Sequence, residues 1–197
     1  MKKQTKKTVY FLARTGVIAG VYAGLTIALA PISYGTVQCR ISEAMTILPL
    51  FFAEAVPGLI IGCLIANVYS GFWADMVFGT LATAIAAWLT YIIGRVYNGK
   101  AKPFLGAIPP VAVNAVMLPL MWLLFSSDAA YWLNMGSVAA GQAVAVFAVG
   151  IPLYYGIAKT PLVRFATVKP SVADGKKEEQ GENDNGQKER TNEDDRQ

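Results

Sequence analysis

A short polar stretch interrupts an otherwise apolar chain. In PISYGTVQCRISEAMTILP, which runs from Pro31 to Pro49, Arg40 stands three residues before Glu43. In a helix that begins near Arg40, both side chains fall on one face. Ionisable groups beside membrane-embedded sequence are costly, and they usually line a binding site or a pathway. The stretch therefore predicts a polar ligand site; the alternative is a pair that only neutralises its own charges.

Further polar and aromatic residues accompany this stretch towards the outer half of the predicted bundle. Two of them, Tyr34 and Gln38, lie within it. The others are Asn67, Trp73, Asp75, Asn114 and Gln142. Together they are predicted to converge on one outward-facing cavity, although any single amide is equally consistent with bonding to a neighbouring helix. Tyr34 and Trp73 adjoin polar groups and are suited to stack on a flat ligand, whereas Trp132 is typical of an interfacial aromatic belt.

The residue types exclude several kinds of chemistry. The chain has no histidine and two cysteines, Cys39 and Cys63. A structural zinc site needs about four Cys or His ligands, and the usual Ser–His and Cys–His pairs need a histidine. No Walker sequence or other glycine-rich phosphate loop follows a strand. We therefore expect no catalytic residue, no metal and no cofactor, and both cysteines as free thiols.

The composition is that of a membrane protein. Of 197 residues, 54% are hydrophobic and 15% are charged, and most of the charge lies at the two ends. Soluble domains carry about 25% charged residues. Four lysines precede residue 8, where positive charge keeps a terminus cytoplasmic. The first apolar run is longer than the roughly 7–15 apolar residues of a signal peptide and contains Arg14, so we interpret it as a retained helix.

Hydropathy gives five apolar runs, and charge favours six spans. The runs cover about 8–30, 41–69, 72–94, 104–125 and 133–158. Glu54–Gly58 interrupts the second run, and a turn there places every basic cluster except Arg40 on the cytoplasmic side. The sequence thus predicts an all-α integral membrane bundle of six transmembrane helices with both termini cytoplasmic. Two of these helices, each about 12 residues, are too short to cross upright and must be shielded by their neighbours.

The first helix carries small residues at helical spacing. Gly16, Gly20 and Gly24 recur every four residues, and Ala19 and Ala23 do so on an adjoining stripe. Small residues at this spacing let two helix backbones approach closely in lipid. The pattern fits a partner helix in this chain and a partner protein equally well.

The predicted domain limits follow the same composition. Residues 1–7 form a basic cytoplasmic N-terminus, 8–158 the membrane domain, and 159–197 a cytoplasmic tail. From about residue 171 the tail is polar and charged, without an aromatic residue after 174. Such a sequence buries too little apolar surface to fold, so we predict that it is disordered.

The membrane part resembles a known family. The segments are ISYGTVQCRISEAMTILPLF, VPGLIIGCLIANVYSG, DMVFGTLATAIAAWLTY and IPPVAVNAVMLPL. They resemble the QueT family, the substrate-binding (S) components of energy-coupling factor (ECF) transporters, associated with uptake of queuosine precursors. The resemblance covers about residues 8 to 158, and its R-x-S-E-A and G-C-x-x-x-N elements are fairly specific. One departure lies in the last helix. We expect an acidic residue in the glycine-led motif there, but this chain has Gly141-Gln142.

The resemblance implies a binding and translocation subunit of the cell membrane rather than an enzyme. S components of this kind are six-helix proteins that dock on a transmembrane coupling protein carrying two ATPases, and no nucleic acid is involved. The docking surface implied here is the small-residue set on the first helix. The remaining alternatives are an S component for a different vitamin-like metabolite and a membrane scaffold without a ligand.

The implied ligand suits the polar residues. A 7-deazaguanine such as preQ1 or preQ0 presents N1–H and an exocyclic amine side by side, and Glu43 is the candidate carboxylate to accept both. Arg40 or Gln38 would donate to the ring carbonyl. Asn67 and Asn114 offer both donors and acceptors. Asp75 would balance the charge of an aminomethyl cation.

Overall fold

The computed structural model describes residues 2–33, 40–126, 130–161 and 166–168. All regular elements within these ranges are helical. They are, in chain order, α1 (Lys2–Ala28), α2 (Ala30–Ser33), a 3-10 helix (Ile41–Leu50), α3 (Ala55–Ser70), a π-helical segment (Asp75–Gly79), α4 (Thr80–Val96), α5 (Lys102–Phe125), α6 (Tyr131–Ala143), a second π-helical segment (Val144–Gly150) and α7 (Ile151–Lys159).

Four of the described helical stretches are long and apolar enough to cross a bilayer. They are Thr5–Ala28, Asp75–Val96, Lys102–Phe125 and Tyr131–Lys159, with lengths from 22 to 29 residues. About 20 residues suffice to cross a hydrocarbon core of ~30 Å. Many large apolar side chains on these stretches are exposed, including Val17, Trp88 and Leu124, as a lipid-facing surface requires. The predicted all-α integral membrane bundle is confirmed.

The two short helices form the predicted hairpin, but its turn comes earlier than expected. The 3-10 helix ends at Leu50 and α3 begins at Ala55, so Pro57 and Gly58 lie in the first turn of α3 rather than in the link. Proline is tolerated there because that turn leaves backbone N–H groups without helical partners. Gly58 has a packing role, since a Cβ built on it would lie 2.9 Å from Cβ of Ile18 on α1.

Helices α1 and α3 are in close contact because α3 carries glycine where the two backbones meet. A Cβ on Gly62 would lie 2.8 Å from the backbone oxygen of Ala19 and 2.9 Å from Cβ of Tyr22. Ala19 and Ala23 on α1 are buried, with 4% and 5% exposure. Small residues on both helices thus bring the two backbones together, as is common between membrane helices.

The 3-10 helix is the centre of the bundle. It contacts α1, α3, α4, α5 and the second π-helical segment. Leu50, at its end, is fully buried between Gly94 of α4 and Gly106 of α5. At its other half, the backbone oxygen of Ala44 faces Gly150, where a Cβ would lie 3.1 Å away. Every residue from Ser42 to Leu50 is buried, so neighbouring helices enclose this short element, as its length demands.

Some of the sequence-based predictions concern features that these ranges do not cover. The cytoplasmic placement of the termini and the domain limits stay predictions. Tyr34, Gln38 and Cys39 lie outside the described residues, as does the tail after residue 168.

Candidate functional site

Glu43 and Tyr22 form the first part of a buried polar cluster. The Tyr22 hydroxyl on α1 donates a 2.5 Å hydrogen bond to Oε1 of Glu43 on the 3-10 helix. Glu43 is 1% exposed and Tyr22 is fully buried. Beside them, Thr26 lies 2.6 Å from the hydroxyl of Ser42. The start of the 3-10 helix is thereby joined to α1 through polar side chains rather than through apolar contact alone.

Arg40 forms a salt bridge with Asp75, the first residue of the first π-helical segment. One guanidinium nitrogen lies 2.9 Å from Oδ2 of Asp75, and both side chains are almost completely buried. Glu43, in contrast, accepts its hydrogen bond from Tyr22. The cluster therefore contains two acidic residues and one arginine, rather than the self-neutralising Arg40–Glu43 pair considered from the sequence.

Asn67 and Cys63 of α3 complete the contacts around Asp75. The Asn67 side-chain amide donates to the backbone oxygen of Asp75 at 2.9 Å and to Sγ of Cys63 at 3.3 Å. Thr83 of α4 donates to the same sulfur at 3.2 Å. Gly79 makes this possible, because a Cβ there would lie 2.7 Å from Oδ1 of Asp75. Cys63 is a free, buried thiol, as predicted.

Several buried polar atoms have no hydrogen-bond partner in the described part of the chain. On five of the predicted site residues, these atoms are Oε2 of Glu43, Oδ1 of Asn67, Oδ1 of Asp75, Nδ2 of Asn114 and Oε1 of Gln142. All five residues are 5% exposed or less. A buried polar group without a partner costs about 1–3 kcal/mol, and one explanation for such a group is a missing ligand.

The predicted site residues do not all occupy the same environment. Arg40, Glu43, Asn67 and Asp75 belong to the cluster described above. Asn114 and Gln142 are buried on the adjacent helices α5 and α6. Trp73, in contrast, is 57% exposed and packs edge-on against Phe125 at 5.0 Å between ring centroids. The contacts of Trp73 are those of an aromatic side chain on the surface of the bundle.

The small residues of α1 face two directions. Ala19 and Ala23 are buried in the chain's own contact with α3, as described above. Gly16, Gly20 and Gly24 are exposed, and a Cβ on any of them would find nothing within 4 Å. The three glycines thus form an exposed surface of the bundle, next to the two alanines that α3 covers.

Comparison with known proteins decides the family. Residues 12–159 match the sequence profile described as QueT transporter. The chain belongs to the QueT transporter family. One curated family relative is the "Queuosine precursor transporter QueT" of Lactococcus lactis subsp. cremoris (strain MG1363). It is 27% identical over 153 residues, which cover 72% of this chain and 89% of that protein. No solved structure matches the chain.

Membership of the QueT family makes this chain a multi-pass transport protein of the cell membrane. The matched residues include every described member of the polar cluster. Within the described ranges no group of three or more His, Cys, Asp or Glu residues is placed to hold a metal ion. The arrangement is therefore one of hydrogen-bond donors and acceptors around an ion pair, which suits recognition of a polar small molecule.

Several members of this cluster were overlooked in the sequence. Tyr22, Thr26 and Thr83 were not identified, Ser42 was given no role of its own, and α1 was interpreted only as a packing helix. A signal was present, because Thr15, Tyr22 and Thr26 fall on one face of a helix. All three are buried, so the polar stripe of α1 faces the interior.

A second polar cluster lies near the middle of α1. Arg14 forms a 2.7 Å salt bridge with Oε1 of Glu54, which is 1% exposed. Thr167 donates to Oε2 of the same carboxylate at 2.8 Å and accepts from the backbone N–H of Ala53 at 2.7 Å. Two backbone N–H groups, of Thr167 and Val168, also donate to the oxygen of Phe51. The segment 166–168 is thereby fixed to the hairpin turn.

Proposed function

We propose that this chain is the substrate-binding subunit of an ECF-type importer and that it captures a queuosine precursor, a 7-deazaguanine such as preQ1 or preQ0. The observation that carries the proposal is the hydrogen bonding of the two carboxylate oxygens of Glu43. Its buried carboxylate has one oxygen held by Tyr22 and the other without a partner among the described residues. The relative's name, a queuosine precursor transporter, supports the same ligand class.

The chemistry of the ligand matches this carboxylate. A deazaguanine offers N1–H and an exocyclic amine in parallel, and a carboxylate accepts such a pair in bidentate fashion. The hydrogen bond from Tyr22 fixes the orientation of the carboxylate before the ligand arrives, which reduces the cost of ordering on binding. The partnerless oxygens of Asn67 and Asp75 would accept from the ligand's remaining N–H groups or balance an aminomethyl cation.

The cluster is closed in the described structure. Arg40, Glu43 and Asn67 are 0–2% exposed, so a ligand enters only if the elements above them move. The salt bridge from Arg40 to Asp75 joins the chain just before the 3-10 helix to the start of the α4 stretch. Opening of this ion pair is the movement we propose for ligand entry.

The same proposal assigns no enzymatic activity to the chain. ATP hydrolysis would be supplied by two ATPases bound to a transmembrane coupling protein. We assign the contact with that protein to α1, where Gly16, Gly20 and Gly24 leave an exposed small-residue surface. Close backbone approach of a second helix is what such a surface permits.

Equilibrium binding tests the ligand directly. The full chain in detergent would be titrated by calorimetry with preQ1, preQ0, guanine and adenine. We expect tight binding of one deazaguanine and none of adenine, which presents an acceptor rather than a donor at N1. Absence of binding to preQ1 and preQ0 would contradict the proposed ligand. Purification from a host that expresses the coupling protein and the ATPases tests the assembly separately, by whether they co-elute.

A further inference from the structure

Two adjoining cavities lie along the first half of α1. The outer cavity, of about 900 Å³, is lined by Lys7, Tyr10, Arg14, Glu54 and Thr167 among others. The inner cavity, of about 400 Å³, shares Arg14 and Glu54 and continues along apolar side chains. These apolar side chains include Val17, Ile18, Leu48 and Phe52. Because the two cavities share Arg14 and Glu54, they form one groove, with Lys7 in its outer part. We call the outer part, which also contains Thr167, the polar cavity and the inner part the apolar cavity.

The dimensions of the groove match one leaflet of a bilayer. Lys7 and Ile18 are eleven residues apart on α1, which corresponds to about 16 Å at ~1.5 Å per residue. Half of a hydrocarbon core of ~30 Å is about 15 Å. Because Lys7 lies near the end of the membrane-spanning helix α1 and Arg14 is seven residues, or about 10 Å, further along it, the polar cavity extends from headgroup depth towards the acyl chains. The apolar cavity continues from there at acyl-chain depth.

The charge of the polar cavity is positive despite its carboxylate. Both oxygens of Glu54 are engaged, Oε1 by Arg14 at 2.7 Å and Oε2 by Thr167 at 2.8 Å. Glu54 is 1% exposed, whereas the Arg14 side chain is 34% exposed. Lys7 is exposed. A ligand in the cavity therefore meets an ammonium group and part of a guanidinium group, with the carboxylate already neutralised behind them.

We propose that this groove binds one anionic phospholipid, with its phosphate at Lys7 and Arg14 and one acyl chain along Val17, Ile18 and Leu48. Basic pockets between membrane helices bind anionic headgroups for the same electrostatic reason. The segment 166–168 forms one wall of the polar cavity through Thr167. The lipid would therefore contact α1, the hairpin turn and the returning segment at once. This site is separate from the cluster around Glu43.

Native mass spectrometry of the full chain tests the proposal. The protein would be released from nanodiscs of dioleoyl phosphatidylglycerol or dioleoyl phosphatidylcholine, and lipid retained per chain would be counted. We expect one retained phosphatidylglycerol and at least about five-fold less phosphatidylcholine, since one basic contact near the surface corresponds to about a five-fold change in affinity. Equal retention of the two lipids would overturn the proposal.

Two variants locate the site. Lys7→Gln should lower phosphatidylglycerol retention about five-fold, while Lys100→Gln, which removes an exposed charge away from the residues that line the groove, should not. Val17→Trp fills the apolar cavity from an exposed position and should abolish retention of the single lipid without lowering the melting temperature. Equal effects of Lys7→Gln and Lys100→Gln, or full retention in Val17→Trp, would each contradict the site.

Discussion

Tyr22 holds one oxygen of Glu43 and leaves the other without a described partner. The two residues come from the first helix and from the 3-10 helix, so this single bond links a helix with an exposed glycine surface to the centre of the polar cluster. The hydrogen bond also fixes the orientation of the Glu43 carboxylate, which would otherwise be free to rotate. Several expected outcomes depend on this arrangement.

Tyr22→Phe keeps the ring and removes the hydroxyl that donates to Glu43. We expect a loss of stability of about 1–3 kcal/mol, because a buried acceptor is left without its partner. Deazaguanine affinity should fall by about ten-fold because the carboxylate is no longer oriented, a loss of ~1.4 kcal/mol. Thermal melting and calorimetry measure the two effects. Tyr10→Phe, at a position that is 65% exposed, is the control and should change neither.

Glu43→Gln preserves the shape of the side chain and removes its charge. The amide can accept only one of the two ligand hydrogen bonds and presents a donor to the other. We expect deazaguanine affinity to fall by roughly 10–100-fold, since hydrogen bonds to charged groups contribute ~1.5–3 kcal/mol. Glu54→Gln, at the other buried glutamate, should leave affinity unchanged. Unchanged binding in Glu43→Gln would rule out this carboxylate as the ligand's acceptor.

The Arg40–Asp75 salt bridge should show strong coupling in a double-mutant cycle. Either Arg40→Gln or Asp75→Asn leaves one charge buried without its partner, at a cost of about 3–5 kcal/mol. The double variant should be less destabilised than the sum of the two, by ~0.5–3 kcal/mol. Melting temperatures of the four proteins in one detergent provide the comparison. Strict additivity would show that the two charges do not depend on each other.

Gly62→Ala should destabilise the contact between α1 and α3. The added Cβ would lie 2.8 Å from the backbone oxygen of Ala19, and overpacking of this kind costs about 1–3 kcal/mol. Gly20→Ala is a matched control, because its Cβ meets nothing within 4 Å. Thermal unfolding should therefore separate the two variants, with Gly62→Ala lower. Equal melting temperatures would mean that α1 moves aside without cost.

Gly20→Trp tests the proposed docking surface rather than the fold. A bulky side chain there has open space, so the melting temperature and deazaguanine affinity should stay as in the parent protein. Recovery of the coupling protein and the ATPases in a pull-down should fall by at least about ten-fold, because close backbone approach is blocked. Full recovery of these subunits would move the docking contact to another face of the bundle.

The fold was predictable to the extent that it follows from hydropathy and charge. The long apolar runs and the interruption near Glu54 were sufficient for the helical bundle with a short hairpin. The position of the turn was not predictable, because Pro57 and Gly58 suit a loop and a helix's first turn equally well. Only the contact of Gly58 with Ile18 distinguishes the two, and that contact depends on tertiary packing.

The composition of the polar cluster was predictable only in part. Arg40, Glu43, Asn67 and Asp75 were recognisable because charge and amide groups are rare in apolar sequence. Their pairing was not, since local spacing favours Arg40 with Glu43 while the fold brings Asp75 to Arg40 across 35 positions of the chain. Tyr22 was overlooked because tyrosine is common in membrane helices, and its partner lies on a different element.

The 3-10 helix is longer than an α-helix of the same number of residues would be. Its 10 residues rise ~2.0 Å each, about 20 Å in all, whereas an α-helix would cover about 15 Å. Rewinding the segment would therefore shorten it by about 5 Å and rotate Glu43 relative to Leu50 by roughly 140°, at ~20° per residue. Such a change would displace Glu43 relative to Leu50 without a hinge in the long helices. The element that carries Glu43 is thus more extended per residue than the α-helices that enclose it.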